Sequence, residues 1–465
     1  MSGPAEAEIP LAAPVGGRAG LRRAFVSLRT RNYRLFAVGQ FFSSTGLWIQ
    51  RIGQDWLVLT LTGSVTAVGI TTTLQFLPTL LFGLLSGVLA DRYPKRRLLL
   101  YTQIVAALLS ALLAVLTLTH QVQVWHVFVI AFGLGVAAAL EIPTRHSFVN
   151  ELVPPSQLRN AISLNAAIFQ LGALIGPAIS GYLVHAVGPG YSFAINAGSY
   201  LVPMAALLWM RQDALRQPPR PSVTERAGRQ LVDGLRYVAQ RPDILWTTVL
   251  IGTFGTFIAS IPVTNAAFAR MVFNSGAAGY GMLSSVVAVG SLVGALFAAS
   301  RDRPRLRTSV IAAMCLSALY VLAGVVPGLI GYAIVAAAIG MMTMTLVTAA
   351  NSTVQTSAED HIRGRVMGLY ILVFLGGGAA GGPIIGAVAE HYGPRAGMLV
   401  NGIAAGLVTV LVAIQLARAV GVRIRVPLPR RPAYVIEVAP SARRRRSAAA
   451  VPDPAESPGP PGQGR

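Results

Sequence analysis

Cysteine, lysine and acidic residues are scarce in this sequence, and the shortages exclude several kinds of structure. Cys315 is the only cysteine among 465 residues, which excludes an intrachain disulfide and a cysteine-based metal site. Lys95 is the only lysine, and 17 acidic residues oppose 38 basic ones, for a formal net charge of +21. Charged residues make up 12% of the chain and apolar residues 54%. A chain with so much apolar surface is not a soluble nucleic-acid-binding protein, despite its charge.

Long apolar segments are abundant. Roughly 20 apolar residues are enough for a helix to cross the hydrocarbon core of a bilayer. Twelve such segments predict an all-α polytopic membrane protein. The predicted spans are 33–60, 65–90, 98–119, 125–146, 161–187, 191–210, 245–270, 279–299, 308–326, 329–350, 366–389 and 396–417. Residues 1–17 lack the pattern of a cleaved signal peptide, so we expect the first span to direct membrane insertion.

The basic residues lie on one side of the predicted spans. Of the 38 Lys and Arg residues, all except Arg51, Arg270 and Arg395 fall in the N-terminal segment, the even-numbered loops, the C-terminal tail or the span ends that adjoin them, where Arg34 and Arg145 lie. Basic residues stay on the cytoplasmic side during membrane insertion. The strong preference for arginine over lysine is typical of a GC-rich bacterial genome. We therefore expect a multi-pass protein of the bacterial inner (cytoplasmic) membrane with both termini in the cytoplasm.

The chain repeats itself at one offset. Gly176-Pro177 aligns with Gly382-Pro383, Gly188-Pro189 with Gly393-Pro394, and Asn196 with Asn401, always 205 or 206 residues apart. Six plus six spans in parallel repeats are typical of transporters whose binding site lies near the bilayer midplane between two bundles. The predicted fold is therefore two pseudo-symmetric six-helix bundles. The predicted divisions are an N-terminal segment 1–31, bundles 32–210 and 245–417, a linker 211–244 and a tail 418–465.

The linker and the tail differ in character. Leu231, Val232, Leu235 and Val238 recur at helical spacing among arginines, which predicts a short amphipathic helix on the inner leaflet. Its expected role is to tether the bundles. The basic tail, with Arg443 to Arg446 and many Pro, Ala and Gly residues, is predicted to be disordered because it cannot bury a core.

The loop after the second span carries a motif. Its characteristic residues are Gly87, Asp91, Arg92, Lys95 and Arg96. The loop resembles the signature of the major facilitator superfamily, which runs Gly, three residues, Asp, a basic residue, one residue, Gly and two basic residues. Pro94 stands where that pattern has Gly, so the turn is stiffer.

The resemblance implies a cytoplasmic gate. Gly87 would allow close helix contact. Asp91 would cap the start of span eleven, near Arg363 to Val366. Arg92, Lys95 and Arg96 would hold the cytoplasmic ends in place. An ordinary basic inner loop is the alternative interpretation.

Other segments resemble the enterobactin-exporter-like and multidrug efflux branch of that superfamily. The matching segments are 32–36, 48–51, 55–58, 141–145, 151–154 and 363–367. In span five, Gly172, Gly176, Pro177 and Gly181 are similar to the fifth-helix motif of proton-driven exporters in the superfamily. Small residues at about four-residue spacing permit close helix packing, and Pro177 would bend the helix.

Proton coupling requires a group that changes charge inside the membrane, where ionisable residues are costly and usually functional. Asp55 is the first candidate and Glu141 the second. Their expected charge partners are Arg51 and Arg145, each four residues away on the same helix face. Structural Arg–carboxylate pairs are the alternative for both. Glu390, near the outer end of span eleven, is expected to be an interfacial charge.

Polar and soft side chains within the spans are candidates to line a substrate cavity. The first choices are Gln54, Gln75, Phe76, Gln170, Asn265 and Met342, followed by Gln40, Asn165, Met341 and Met344. Packing between helices is the alternative role for each of them.

Together these features predict a secondary active transporter that exports an amphipathic small molecule (a drug, siderophore or secondary metabolite) by proton-coupled alternating access. Its expected partners are the substrate, protons and the lipid bilayer, with no nucleic acid and a monomeric state. The sequence shows no nucleotide-binding loop or metal cluster, so we expect no enzymatic activity, no cofactor beyond the proton gradient and no metal. The alternatives are an importer, proton-coupled or facilitative, and a non-transporting signalling or scaffold protein of the same fold.

Overall fold

The computed structural model describes residues 25–216, 227–299, 306–359, 362–420, 422–424 and 436–438. A 3₁₀ turn at Val26–Arg29 precedes the first helix. The α-helices are α1 Arg31–Thr62, α2 Val65–Arg92, α3 Lys95–Leu118, α4 Val124–Leu152, α5 Pro155–Val187, α6 Pro189–Ser199, α7 Leu201–Trp209, α8 Ala227–Gln240, α9 Pro242–Ala259, α10 Ile261–Ala267, α11 Gly276–Ala299, α12 Leu306–Val325, α13 Leu329–Ser357, α14 Arg363–Tyr392 and α15 Pro394–Val420. A π-helical turn, Phe268–Val272, follows α10.

The predicted helical membrane fold is confirmed. Eleven segments among the described residues are long and apolar enough to cross a membrane. The 32-residue α1 is long enough as well, but it does not reach the same hydropathy because it carries three glutamines and four charged residues. Spans six and seven are each built from consecutive helices, α6–α7 and α9–α10 with the π turn. With α1, the helices form twelve crossings.

Successive spans run in opposite directions, so the ends of the helices lie at two opposite faces of the molecule. The face with the starts of α1, α3 and α5 carries Lys95, Arg96 and Arg159, and we call it the basic face. The face with Ser64, Gly188 and Gly393 is called the far face. Each half begins at the basic face, as parallel repeats require.

The two halves repeat details of local structure. Gly188 and Gly393 have φ angles of 93° and 89°, and each is followed by a proline that begins the next helix. This conformation favours glycine, and a proline suits the first helical position because its missing N–H needs no partner there. Asn196 and Asn401, one on each following helix, are fully buried and donate to Gln50 Oε1 (2.6 Å) and Ser260 Oγ (3.0 Å).

The halves meet through two pairs of helices that cross at backbone contact. At the α2–α14 crossing, a Cβ on Gly382 would lie 2.6 Å from the carbonyl oxygen of Gly69. At the α5–α11 crossing, a Cβ on Gly281 would lie 2.7 Å from Gly181 Cα. Small residues permit such approach, and in lipid this packing replaces the hydrophobic effect as the force between helices.

Matching hydrogen bonds accompany the two crossings. Thr73 Oγ1 of α2 donates to the Ala379 carbonyl of α14 at 2.5 Å. Ser285 Oγ of α11 donates to the Leu174 carbonyl of α5 at 3.0 Å. Each bond lies on the side of its crossing nearer the basic face. The two contacts between halves are therefore related by the internal repeat.

Toward the basic face the halves part. Leu80 of α2 reaches Gly376 of α14 only with its side-chain tip, at 3.7 Å from where a Cβ on Gly376 would lie. Beyond it, a Cβ added at Gly83 or Gly87 on α2, or at Gly364 or Gly368 on α14, would meet no described atom within 4 Å. The close helix contact expected at Gly87 is thus absent from the described structure, because the helices have already diverged at that level.

The linker and tail carry short elements. Helix α8 lies where the sequence predicts an amphipathic helix, and it packs on α14 and α9 with Val238 buried in the core of the second half. Three residues of the tail, Val422–Ile424, form strand β1 and pair antiparallel with β2, Ile436–Val438. Residues 418–420 extend α15. Disorder of the tail stays a prediction. The remainder of the tail and the segment 1–24 lie outside the described residues.

Gly281→Ala should open the far face. The new Cβ would press on backbone atoms that have no flexible side chain to move, and overpacking of this kind costs about 1–3 kcal/mol. We expect the ratio of open to closed molecules to rise roughly tenfold. Double electron–electron resonance between spin labels at the exposed positions Val187 and Met271 would report longer distances.

Gly83→Ala is the matched control for this substitution, because its Cβ would meet no described atom. It should leave the distance distribution unchanged. Equal distributions for Gly281→Ala and wild type would contradict the assignment of the α5–α11 crossing as a closure point.

Candidate functional site

A cavity of about 230 Å³ lies in the first half. Its lining includes residues of α1, α2, α3, α4 and α5, together with Tyr200 at the break between α6 and α7. Every described lining residue belongs to the first half. They are Gln40, Ser43, Ser44, Leu47, Gln50, Arg51, Gln54, Gln75, Phe76, Ala106, Leu134, Gly135, Ala137, Ala138, Glu141, Ile142, Arg145, Phe169 and Tyr200.

Helix α1 supplies the polar wall. Its seven lining residues, from Gln40 to Gln54, recur at intervals of one, three and four positions. This spacing places them on one helix face, and six of the seven are polar. Polar groups in a membrane helix face a protein interior or a water-filled space, because exposure to lipid costs free energy. The same residues explain why α1 is the least apolar span.

Arg51 lies on this wall between two aromatic rings. Its guanidinium carbon is 5.2 Å from the centre of the Trp48 ring and 5.5 Å from that of Phe76. Cations at such distances are attracted by the ring faces. In the part of the chain that the structure describes, Arg51 makes no ion pair within 4 Å, so the pair expected with Asp55 is not formed.

Asp55 instead joins the two halves. The Tyr280 hydroxyl of α11 donates to Asp55 Oδ2 at 2.8 Å, and both side chains are almost fully buried. The Tyr280 ring stacks on Trp56 of α1, with 6.3 Å between ring centres. One turn further toward the far face, Arg270 Nη1 donates to the carbonyl of Leu59. These contacts and the α2–α14 and α5–α11 crossings hold the two halves together on the far side. We call them the closed layer.

Glu141 lies on the opposite wall, on α4. Its Oε1 accepts from Arg145 Nη1 at 3.4 Å, and both side chains are about one-sixth exposed. Both residues line the cavity and also a smaller pocket below it, toward the basic face. Glu141 is therefore the carboxylate among the described lining residues, whereas Asp55 lies just behind the cavity.

Glu390 makes a further contact between halves at the far face. Its Oε2 accepts from Ser64 Oγ (2.6 Å) and from the backbone N–H of Thr66 (2.9 Å). Ser64 caps the start of α2, where unpaired N–H groups favour a negative charge. The residue expected to be an interfacial charge thus caps a helix of the other half.

The glycine motif of α5 serves two contacts. Gly172 and Gly176 face α1, where added Cβ atoms would lie 2.7 Å from Ser44 Oγ and 2.5 Å from Trp48 Cβ. Gly181 faces α11 of the other half, with a Cβ 2.9 Å from the Ala277 carbonyl oxygen. Pro177 lies inside the helix between these two faces. The motif connects the cavity wall to the contact between halves.

The signature loop holds the first half together at the basic face. Lys95 Nζ lies 2.6 Å from Glu151 Oε1, and Arg96 donates to the carbonyls of Leu207 (2.6 Å) and Leu208 (3.1 Å). Arg92 is exposed. The side chain of Asp91, expected to cap span eleven, lies outside the described residues.

The candidate cavity residues divide into two groups. Gln54, Gln75 and Phe76 line the cavity, as does Gln40. The others are not among its lining residues: Gln170, Asn265, Met342, Asn165, Met341 and Met344. Asn265 accepts from the Tyr332 hydroxyl at 3.0 Å, and Met342 packs on the core of the second half. For these two, packing between helices is what the structure shows.

Residues 22–431 match the family model described as transmembrane secretion effector. The chain belongs to this family. As a member of this branch of the major facilitator superfamily, it is a transporter and not an enzyme, and it acts on small molecules within the membrane.

Three relatives illustrate the range of the family. The multidrug efflux pump Tap of Mycolicibacterium fortuitum is 27% identical over 78% of this chain and 90% of its own. The enterobactin exporter EntS of Escherichia coli O1:K1 / APEC is 23% identical over 83% and 92%. The staphyloferrin A transporter of Staphylococcus aureus strain NCTC 8325 / PS 47 is 27% identical over 55% and 65%.

Solved transporters share the fold of this family member. A bacterial homologue of the human lysosomal transporter Spinster, in an inward-facing and unoccupied conformation, aligns with a TM-score of 0.64 at 15% identity, over 84% of this chain and 98% of its own. The nucleoside transporter NupG aligns at 0.65 and 12% identity, over 83% and 99%.

Sequence reasoning missed several residues of the site in this transmembrane secretion effector. Ser43, Ser44 and Gln50 share the helical spacing of Gln40 and Gln54, and that periodicity could have identified them. Phe169, Tyr200 and Tyr280 carry no such signal, because their positions depend on how other helices pack against α1.

Tyr280→Phe should weaken closure of the far face. It removes the donor from a buried carboxylate, and a hydrogen bond to a charged group contributes about 1.5–3 kcal/mol. We expect a lower thermal unfolding midpoint in detergent. We also expect a larger fraction of molecules with a long distance between spin labels at Val187 and Met271. Tyr101→Phe, on an exposed ring, should change stability by about 0.5 kcal/mol or less. Equal effects of the two substitutions would contradict a role for the Asp55–Tyr280 bond.

Proposed function

We propose that this transporter exports an amphipathic small molecule from the cytoplasm in exchange for protons, by alternating access of the cavity that its first half lines. The observation that carries the proposal is the position of the cavity between the closed layer and the basic face. The cavity lies directly below a closed layer formed by Asp55–Tyr280 and the two glycine crossings. On the other side of the cavity, toward the basic face, the halves part.

The direction of transport depends on which face of the molecule is cytoplasmic. Basic residues mark the cytoplasmic side, so the basic face would be cytoplasmic together with both termini. The cavity would then be closed to the exterior and reachable from the cytoplasm, which is the loading state of an exporter. The names of Tap and EntS support export rather than uptake.

Asp55 is the first candidate for proton coupling because its protonation state would affect the contact between the halves. An ionised carboxylate accepts the Tyr280 hydrogen bond more strongly than a neutral carboxyl group does. A proton arriving from the exterior would therefore loosen the closed layer. Substrate in the cavity would act on the same helix, at Arg51 one turn away and at the adjacent Gln54. Proton and substrate would thus be linked through α1.

Glu141 is the second candidate. It lines the cavity, so protons from the cytoplasmic side would reach it directly. Its partner Arg145 lies 3.4 Å away, and loss of the Glu141 charge would leave Arg145 without its carboxylate. Glu141 would then be coupled to occupancy of the cavity, and Asp55 would be coupled to closure of the far face.

Transport in membrane vesicles tests the direction and the coupling. Inverted vesicles with an acidic interior should accumulate a fluorescent substrate, tested with cationic ethidium and anionic Lucifer yellow. Accumulation should collapse when the pH gradient is dissipated. Loading of right-side-out vesicles alone would indicate an importer, and the absence of transport of either dye in both orientations would contradict the proposal.

Asp55→Asn should abolish accumulation driven by the pH gradient while leaving the amount of protein in the membrane unchanged. Asp213→Asn, at an exposed acidic residue outside the spans, is the matched control and should transport normally. Normal pH-driven transport by Asp55→Asn would exclude Asp55 from coupling and leave Glu141, tested as Glu141→Gln.

Sidedness can be measured by cysteine labelling. In a Cys315→Ser background, a cysteine at Thr62 on the far face should react with an impermeant maleimide on intact spheroplasts, because Thr62 is exposed there. A cysteine at Arg29 on the basic face should react only after permeabilisation. The reverse pattern would overturn the proposed orientation.

A further inference from the structure

Arg51 brings a positive charge into the cavity without a described acceptor for it. An arginine has five N–H donors in a rigid planar fork. Among the described residues, no oxygen accepts a hydrogen bond from this guanidinium, and Asp55 is occupied by Tyr280. The rings of Trp48 and Phe76 lie 5.2 Å and 5.5 Å from the guanidinium carbon. An aromatic ring carries no carboxylate or carbonyl oxygen, so these contacts leave the N–H groups of Arg51 available to an anionic ligand.

Two neighbouring amides also have donors without acceptors. Gln50 and Gln54 are each 1% exposed and line the same wall. Neither Nε2 atom has a hydrogen-bond partner in the described structure. The orientation of the Gln50 amide is fixed, because its Oε1 accepts from Asn196 at 2.6 Å. Buried donors without acceptors are unfavourable, and an acceptor-rich ligand would remove that cost.

The charges of the wall point the same way. The charged residues among the described lining residues are Arg51, Arg145 and Glu141. Glu141 and Arg145 pair with each other at 3.4 Å. Arg51 is thus left without an ion pair among the described lining residues, and a bound anion interacts with a cation more strongly inside a protein than in water.

We propose that the cavity binds molecules that carry an anionic group, such as a carboxylate, sulfonate or phenolate, beside a planar aromatic body. Arg51 binds the anion through the edge of its guanidinium, with Gln50 and Gln54 as further donors. Phe76 and Phe169 provide flat apolar surface for the ring system. This substrate class rests on the proposed transport function.

Binding of three probes with one ring system tests the charge preference. The probes are 2-naphthoate, 2-naphthalenemethanol and 2-naphthylmethylammonium, titrated by calorimetry into the purified full-length protein. We expect naphthoate to bind at least tenfold more tightly than the ammonium compound, with the alcohol between them. A preference for the ammonium compound, or equal affinity for all three, would overturn the proposal.

Variants assign the preference to Arg51. Arg51→Gln should lower the affinity for naphthoate at least tenfold and change that for the alcohol less than twofold. Arg51→Lys keeps the charge but loses the planar fork, and should give a smaller loss for naphthoate. It also tests the site if Arg51→Gln does not fold. Unchanged naphthoate affinity in a folded Arg51→Gln or Arg51→Lys protein would overturn the role of Arg51.

Arg395→Gln is the matched control. Arg395 donates to the carbonyls of Gly324 and Val326 at the far face and does not line the cavity. Its removal should leave naphthoate binding unchanged, and a loss as large as that of Arg51→Gln would contradict a site-specific effect. These titrations need no gradient. Failure of proton-driven export with intact anion binding would therefore overturn the proposed function alone, and transport with cation preference would overturn this inference alone.

Discussion

Backbone contact between the halves at two glycine crossings is the constraint on which the rest of the structure depends. Lipid gives apolar helices no hydrophobic reason to associate, so contact requires close packing. Gly69 with Gly382, and Gly181 with Gly281, allow that packing on the far side of the molecule. The absence of comparable contacts among the described residues near Gly87 and Gly364 lets the basic side separate. The halves are therefore in contact on the far side and separated on the basic side.

The same arrangement explains why α1 carries polar residues. The cavity in the first half allows α1 to carry glutamines and an arginine that would be costly against lipid. Asp55 lies where α1 leaves the cavity and enters the closed layer, and there it finds Tyr280 of the other half. The sequence of α1 is therefore divided between binding and closure, with about one helical turn between Arg51 and Asp55.

The helical fold was readable from the sequence because apolar length and the repeated Gly-Pro pairs are local signals. The breaks in spans six and seven were not. Pro203 and Pro262 follow those breaks, but Pro78, Pro143, Pro177 and Pro383 lie inside continuous helices, so proline alone does not predict an interruption. In the site, periodicity on α1 identifies one wall. The partner of Asp55 could not be predicted, because Arg51 at helical spacing is the obvious choice and Tyr280 becomes adjacent only when the halves pack.

The lining of the cavity also bears on how such a protein changes over time. The chain folds as two pseudo-symmetric six-helix halves, yet every described lining residue belongs to the first, whereas the second contains a large cluster of buried apolar residues. Ligand preference can then shift through substitutions in one copy while the other keeps the mechanical properties of the pair. The first half can then accept a new ligand without a change in the glycine crossings to which both halves contribute.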